Sequence, residues 1–111
     1  MKKFMLLYLA PASAVEQILA TTTPEEMKKG MEPWMAWYAK HGNAIVDAGT
    51  PLVNGMHFHK TESSKTKSPV SGYSIVQAED MDAAKRMVSD HPHYMMPEGS
   101  IEVFEMMPMA M

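Results

Sequence analysis

Cysteine is absent from the 111 residues, which excludes disulfides, thiolate metal sites and a cysteine nucleophile. Long apolar runs are missing as well. Nothing approaches the roughly 18 residues that span a bilayer, so no membrane is expected as a partner. Basic charge is also scarce: 10 Lys and Arg stand against 13 Asp and Glu, for a net charge of -3. That balance leaves no electrostatic footprint for nucleic acid. Phosphate loops, nucleophile elbows and zinc-protease motifs do not occur, and no cofactor is implied. Without a repeat or a linker, residues 1–111 read as one domain with a modest core.

Methionine is what the chain has in excess, with 14 residues. Met95, Met96, Met106, Met107, Met109 and Met111 offer thioethers, which are soft ligands for copper(I). Filling irregular gaps in a core and a dimer interface is the reading preferred here. The start of the chain imitates a secretory signal, with Lys2-Lys3, the apolar run Phe4 to Ala10 and Ala12-Ser13-Ala14. That run is at the short limit for a signal. A first strand in a cytoplasmic protein is the better reading.

Phe4 to Leu9 is apolar on both alternating faces, as suits the middle of a sheet covered on both sides. Pro11 ends it, and Ala12 to Thr22 holds at most a helical turn around Val15 to Leu19. Thr23-Pro24-Glu25-Glu26 is a helix start, with Thr23 as cap and Glu26 completing a capping box. Met27, Met31, Trp34, Tyr38 and His41 continue one stripe, and Pro33 should kink it. The helix ends at Gly42 or runs on to Ala48. Thr50 to His59 reads as an edge strand interrupted by Pro51 and Gly55. Lys60 to Ser71 reads as a flexible loop.

Gly72 to Pro92 is the surest stretch. Gly72 to Ala78 is a strand rich in β-branched and aromatic residues. Asp80 caps a helix with the stripe Met81, Ala84, Met87 and Val88, and Pro92 stops it near Asp90. Ser100 to Met107 is the last strand. The order β-α-β-β-α-β predicts an α+β, ferredoxin-like fold whose four-stranded antiparallel sheet runs 4-1-3-2. Both helices then cover one face. Apolar residues on the other face predict a homodimer packed sheet on sheet.

With the segments placed, the chain resembles the YCII-related family of dimeric α+β barrels. The residues that carry the resemblance are Gly42, Asp47-Ala48-Gly49, Gly72-Tyr73-Ser74-Ile75, Ala78 to Ala84, His91-Pro92 and Ser100 to Glu105. The Asp-Gly-Pro-Phe tetrad of a related branch is replaced here by Lys67-Ser68-Pro69-Val70. The resemblance implies a histidine on the first long helix and an aspartate before the proline that follows the second. One member type removes chloride from a chlorinated hydroquinone. In this chain His91 precedes that proline, and the helix position falls on Met31 or Glu32.

The expected topology brings Glu32 and His91 to one end and puts Asp47 at the other. The sharp expectation is an exchanged pair, with Glu32 orienting His91 as general base of a lyase or isomerase. The alternative is a non-catalytic small-molecule-binding or accessory protein that kept the fold. Trp34, Trp37, Tyr73 and Met31 are the candidate pocket residues, with the tryptophans and Tyr73 also expected in the core. His57-x-His59 and His91-x-His93 have the ligand types for zinc or copper. Strands 2 and 4, beside which the two pairs lie, flank the sheet on opposite edges about 14 Å apart. A metal is not expected.

Overall fold

The chain in the computed structural model is described for residues 1–109, so Met111 of the methionine tail lies outside the described residues. Strand β1, Lys2–Leu9, is the centre of the structure. It pairs antiparallel with β5, Val70–Ala78, on one side and with β6, Ser100–Glu105, on the other. The register sets Phe4 opposite Val76, Leu6 opposite Ser74 and Tyr8 opposite Gly72. A short β2, Ile45–Asp47, closes the other edge of β5, giving the order β2-β5-β1-β6.

Two helices supply the cover. Helix α2, Pro24–His41, starts on the capping box read from its sequence, with Thr23 Oγ1 accepting the Glu26 N–H at 3.2 Å. Glu26 Oε1 in return accepts the Thr23 N–H at 3.3 Å. The helix continues through Pro33 and stops at Gly42, whose φ of 49° favours glycine. It does not reach Ala48. Helix α3, Met81–Val88, is capped by Asp80, whose carboxylate accepts the Ala83 N–H at 2.8 Å. Its Ala84, Met87 and Val88 pack with Trp37, Phe4, Leu6, Val76 and Ala78 as one core. Fully burying each Phe, Leu, Val or Met there contributes about 1.5–3 kcal/mol.

The middle of the chain differs from its sequence reading. The edge strand expected over Thr50 to His59 is not in the main sheet. Ile45 and Val46 take that edge, because Gly42 releases the chain from the helix early and leaves two β-branched residues beside β5. Only an isolated bridge between Pro51 and Gly72 prolongs the pairing. Strand β3, Met56–His59, pairs instead with β4, Glu62–Lys65, in a separate hairpin whose residues are all exposed. The segment expected as a loop therefore contains a strand. Likewise Ala12–Thr21 forms a ten-residue helix, α1, rather than a single turn.

The sheet has one finished face and one open one. Phe4, Leu6, Tyr8, Ser74, Val76 and Ala78 are buried on the helix side. Met5, Leu7, Leu9, Tyr73 and Ile75 alternate with them and are only half-buried, while Phe104 is exposed. Among the described residues no helix is long and apolar enough to cross a membrane.

Candidate functional site

The finished face becomes polar toward one end. Tyr8 follows Phe4 and Leu6 along β1, and opposite them β5 changes from Val76 to Ser74 to Gly72. At that end α3 has run out, and Pro92 forces His91 into an extended conformation with ψ of 139°. A short 3-10 turn, Pro92–Met95, follows and folds His93 inward. His91 is 2% exposed, and Tyr8, Ser74 and His93 are buried beside it.

The hydrogen bonds of these residues form a chain with a single direction. The His93 backbone N–H donates to His91 Nδ1 at 3.0 Å. An accepting Nδ1 is unprotonated, so the proton of the neutral ring is on Nε2, 3.0 Å from Tyr8 Oη. The Tyr8 hydroxyl donates to Ser74 Oγ at 2.7 Å, and Ser74 donates to the Ala48 carbonyl at 2.7 Å. Each side-chain polar atom of Tyr8, Ser74 and His91 thus has a partner. His93 Nε2 lies 2.8 Å from the Leu9 carbonyl, which can only accept, so that nitrogen carries its proton.

The chain ends on a turn that admits only glycine next to Ala48. Gly49 has φ of 77°, and a Cβ there would fall 1.7 Å from the Tyr73 carbonyl oxygen. Asp47 Oδ1 accepts the Gly49 N–H at 2.8 Å and holds the turn in place.

Aromatic rings wall the chain. Trp34 lies edge-on to Tyr8 at 4.9 Å and edge-on to His91 at 4.7 Å between ring centroids. Trp37 stacks tilted on His91 at 4.4 Å, and its indole donates to the Met87 carbonyl at 3.0 Å. His41 sits against Trp37 with its buried Nε2 lacking a partner among the described residues.

The electrostatics follow from burial. Desolvation, assisted by the nearby His93, lowers the His91 pKa from 6.5 to about 4. Desolvation also raises the Tyr8 hydroxyl well above 10, outweighing the bond to Ser74. At neutral pH the site is therefore a neutral imidazole beside a neutral phenol. It holds no formal charge.

The structure separates the residues that the sequence reading grouped. Glu32 and Met31 are exposed on α2. Glu32 forms no hydrogen bond or ion pair with His91, whose two ring nitrogens are already engaged by Tyr8 and the His93 backbone. Trp34 and Trp37 do reach His91. Tyr73 does not, because it points to the open face of the sheet, where its hydroxyl donates to Asp47 Oδ2 at 3.2 Å. It is therefore not part of the helix-side core, since β5 alternates and Ser74 takes that face. His57 and His59 stand exposed on the β3–β4 hairpin, whereas His91 and His93 are buried under the sheet. Among the described residues no three His, Asp or Glu side chains are gathered around one point.

Tyr8 and Ser74 are the residues sequence reasoning missed. Each read as part of a strand face. The available signal was a phenol and a hydroxyl at consecutive inward positions of two central strands, where aliphatic residues otherwise stand.

No family model matches the chain, and no curated protein matches it. Among solved structures it is similar to the 5-chloro-2-hydroxyhydroquinone dehydrochlorinase of Burkholderia phenoliruptrix, in complex with 2,5-dihydroxybenzoquinone. Identity is 15%, the match covers 94% of this chain and 91% of that one, and the TM-score is 0.52. At this identity the likeness shows a shared α+β fold.

Proposed function

We propose that this chain is a YCII-related protein that works as a homodimer and binds a small aromatic or carbonyl-bearing molecule where His91, Tyr8 and Trp34 meet. The observation that carries this reading is the neutral, one-way hydrogen-bond chain from His93 to Ala48, walled by aromatic rings. Aromatic walls with a few convergent polar groups are the composition of small-molecule sites. The dehydrochlorinase of similar fold holds a quinone ring with carbonyl and hydroxyl oxygens, which supports that ligand class.

Protonation favours binding over catalysis. A pKa near 4 makes His91 a weak general base at neutral pH, and neither ring nitrogen is free. One observation favours the second reading, a proton-transfer lyase or isomerase with His91 as base. The Tyr8 hydroxyl lies 3.0 Å from the imidazole, so a ligand oxygen that displaces this bond meets both groups. In that reading Trp34 and Trp37 wall the imidazole.

Titration with a panel of hydroquinones and hydroxyquinones, followed by native mass spectrometry and by the fluorescence of Trp34 and Trp37, tests the binding. One ligand per chain is expected, with loss of affinity in Tyr8→Phe. Failure of every panel member to bind saturably overturns the reading. Proton exchange of a bound ligand in deuterated water, abolished by His91→Gln, would promote the enzyme reading over the binding one. Light scattering of a dilute solution should give twice the 12.4 kDa chain mass. A monomer alone would remove the dimer.

A further inference from the structure

A cleft of about 290 Å³ opens between α1, residues 52–55 and residues 65–71, and it shares no residue with the His91 cluster. Three of its lining side chains are apolar and unusually exposed: Leu19 at 48%, Leu52 at 41% and Val53 at 54%. Val15 and Val70 extend the same wall. Scattered exposed aliphatics need no explanation, but several converging on one concave surface do.

The polar lining is equally specific. Thr66 Oγ1 accepts the Ser68 N–H at 3.1 Å, and Ser68 Oγ accepts the Val70 N–H at 3.2 Å. Each hydroxyl is oriented by accepting a backbone proton and keeps its own O–H to donate. Lys65 lines the cleft beside them and has no salt bridge among the described residues, while Glu16 lines it from α1.

Helix α1 is the compliant wall. None of its residues is buried, and its N-cap, Pro11, offers no side-chain hydrogen bond. Its start is pinned where the Ala10 N–H donates to the Pro69 carbonyl at 2.9 Å, so the helix can adjust about that end.

We propose that this cleft is a second small-molecule site, taking an apolar molecule with a hydrogen-bond-accepting head, a carboxylate or a carbonyl. The aliphatic body lies against Leu19, Leu52 and Val53, and the head takes the free donors of Thr66, Ser68 and Lys65. Glu16 disfavours the charged head and leaves the neutral one unaffected.

The full chain is titrated with octanoate and, separately, with 2-nonanone by methyl NMR and calorimetry. Saturable binding of one molecule per chain is expected, with shifts at Val15, Leu19, Leu52 and Val53. Glu16→Gln should tighten octanoate by about two- to fivefold, the size of an exposed charge interaction, and leave 2-nonanone unchanged. Lys65→Met should weaken octanoate more than 2-nonanone, since the carboxylate loses a charge partner as well as a donor. Leu19→Asp and Leu52→Asp, checked for folding by circular dichroism, should each weaken both molecules. Binding that survives both aspartate variants, or no saturable binding of either molecule, overturns the proposal. So does a response to Glu16→Gln that is the same for both molecules. None of these outcomes bears on the titration that tests the His91 site.

Discussion

Between the sheet and its helices, the two ends of one layer are built on different principles. At one end Phe4, Leu6, Val76, Ala78 and Ala84 are packed without a polar side chain among them. At the other, two steps along the same strand, Tyr8, Ser74, His91 and His93 are as deeply buried but joined by hydrogen bonds. The apolar end tolerates any side chains of suitable volume and pattern. The polar end does not, because each donor there has one acceptor and a missing partner leaves a buried group unpaired. The hydrogen-bond chain is what singles out that end as the candidate site.

The contrast is testable by breaking each end in turn. Phe4→Ala should have the largest effect, a loss of about 3–5 kcal/mol from the cavity it leaves, measured by denaturant unfolding. That loss should be the same at pH 7 and pH 5.

Acidification addresses only the polar end. The folded pKa of His91, about 4, lies below its unfolded value near 6.5, so the unfolded state binds more protons between them. The stabilisation is present above about pH 6.5 and is lost as pH falls toward 4, on the order of 3 kcal/mol at most. Unfolding curves across that range, with NMR of the His91 ring, check this; a ring titrating near 6.5 would break the comparison.

Tyr8→Phe comes next. It keeps the ring and removes the hydroxyl, leaving the His91 Nε2 proton and the Ser74 oxygen short of a partner. A loss of about 1–3 kcal/mol is expected by thermal or denaturant unfolding. A neutral result would mean that water or a shifted Ser74 replaces the hydroxyl. The smallest effect belongs outside the layer. Lys40 and Asp90 pair at 2.7 Å on the surface, and both side chains are more than half exposed. Lys40→Ala should leave Tm unchanged within error.

Local signals explain what could be read in advance. The capping box at Thr23, the Asp80 cap, the two-sided apolar pattern of β1 and the stop at Pro92 each act within a few residues. The stretch from Gly42 to Pro69 could not be read in this way. Ile45-Val46 and Met56 to His59 both suit a strand, and the choice between them depended on which one β5 met. The pairing of Glu32 with His91 failed for a related reason. A shared end of the fold does not set the direction in which a helix residue points, and Glu32 faces outward.

The sequence by itself determined where α2, α3 and β6 begin, which residues face inward along β1 and β5, and where the chain stops at His91-Pro92. Capping and alternation are decided by neighbours in sequence. Only the tertiary structure decided which groups His91 meets, because its partner Tyr8 lies 83 residues away and Tyr8's own acceptor, Ser74, lies 66 residues from it. Those bonds depend on strand register and on the position of the turn after α3. Burial at that point also sets the charge of the imidazole.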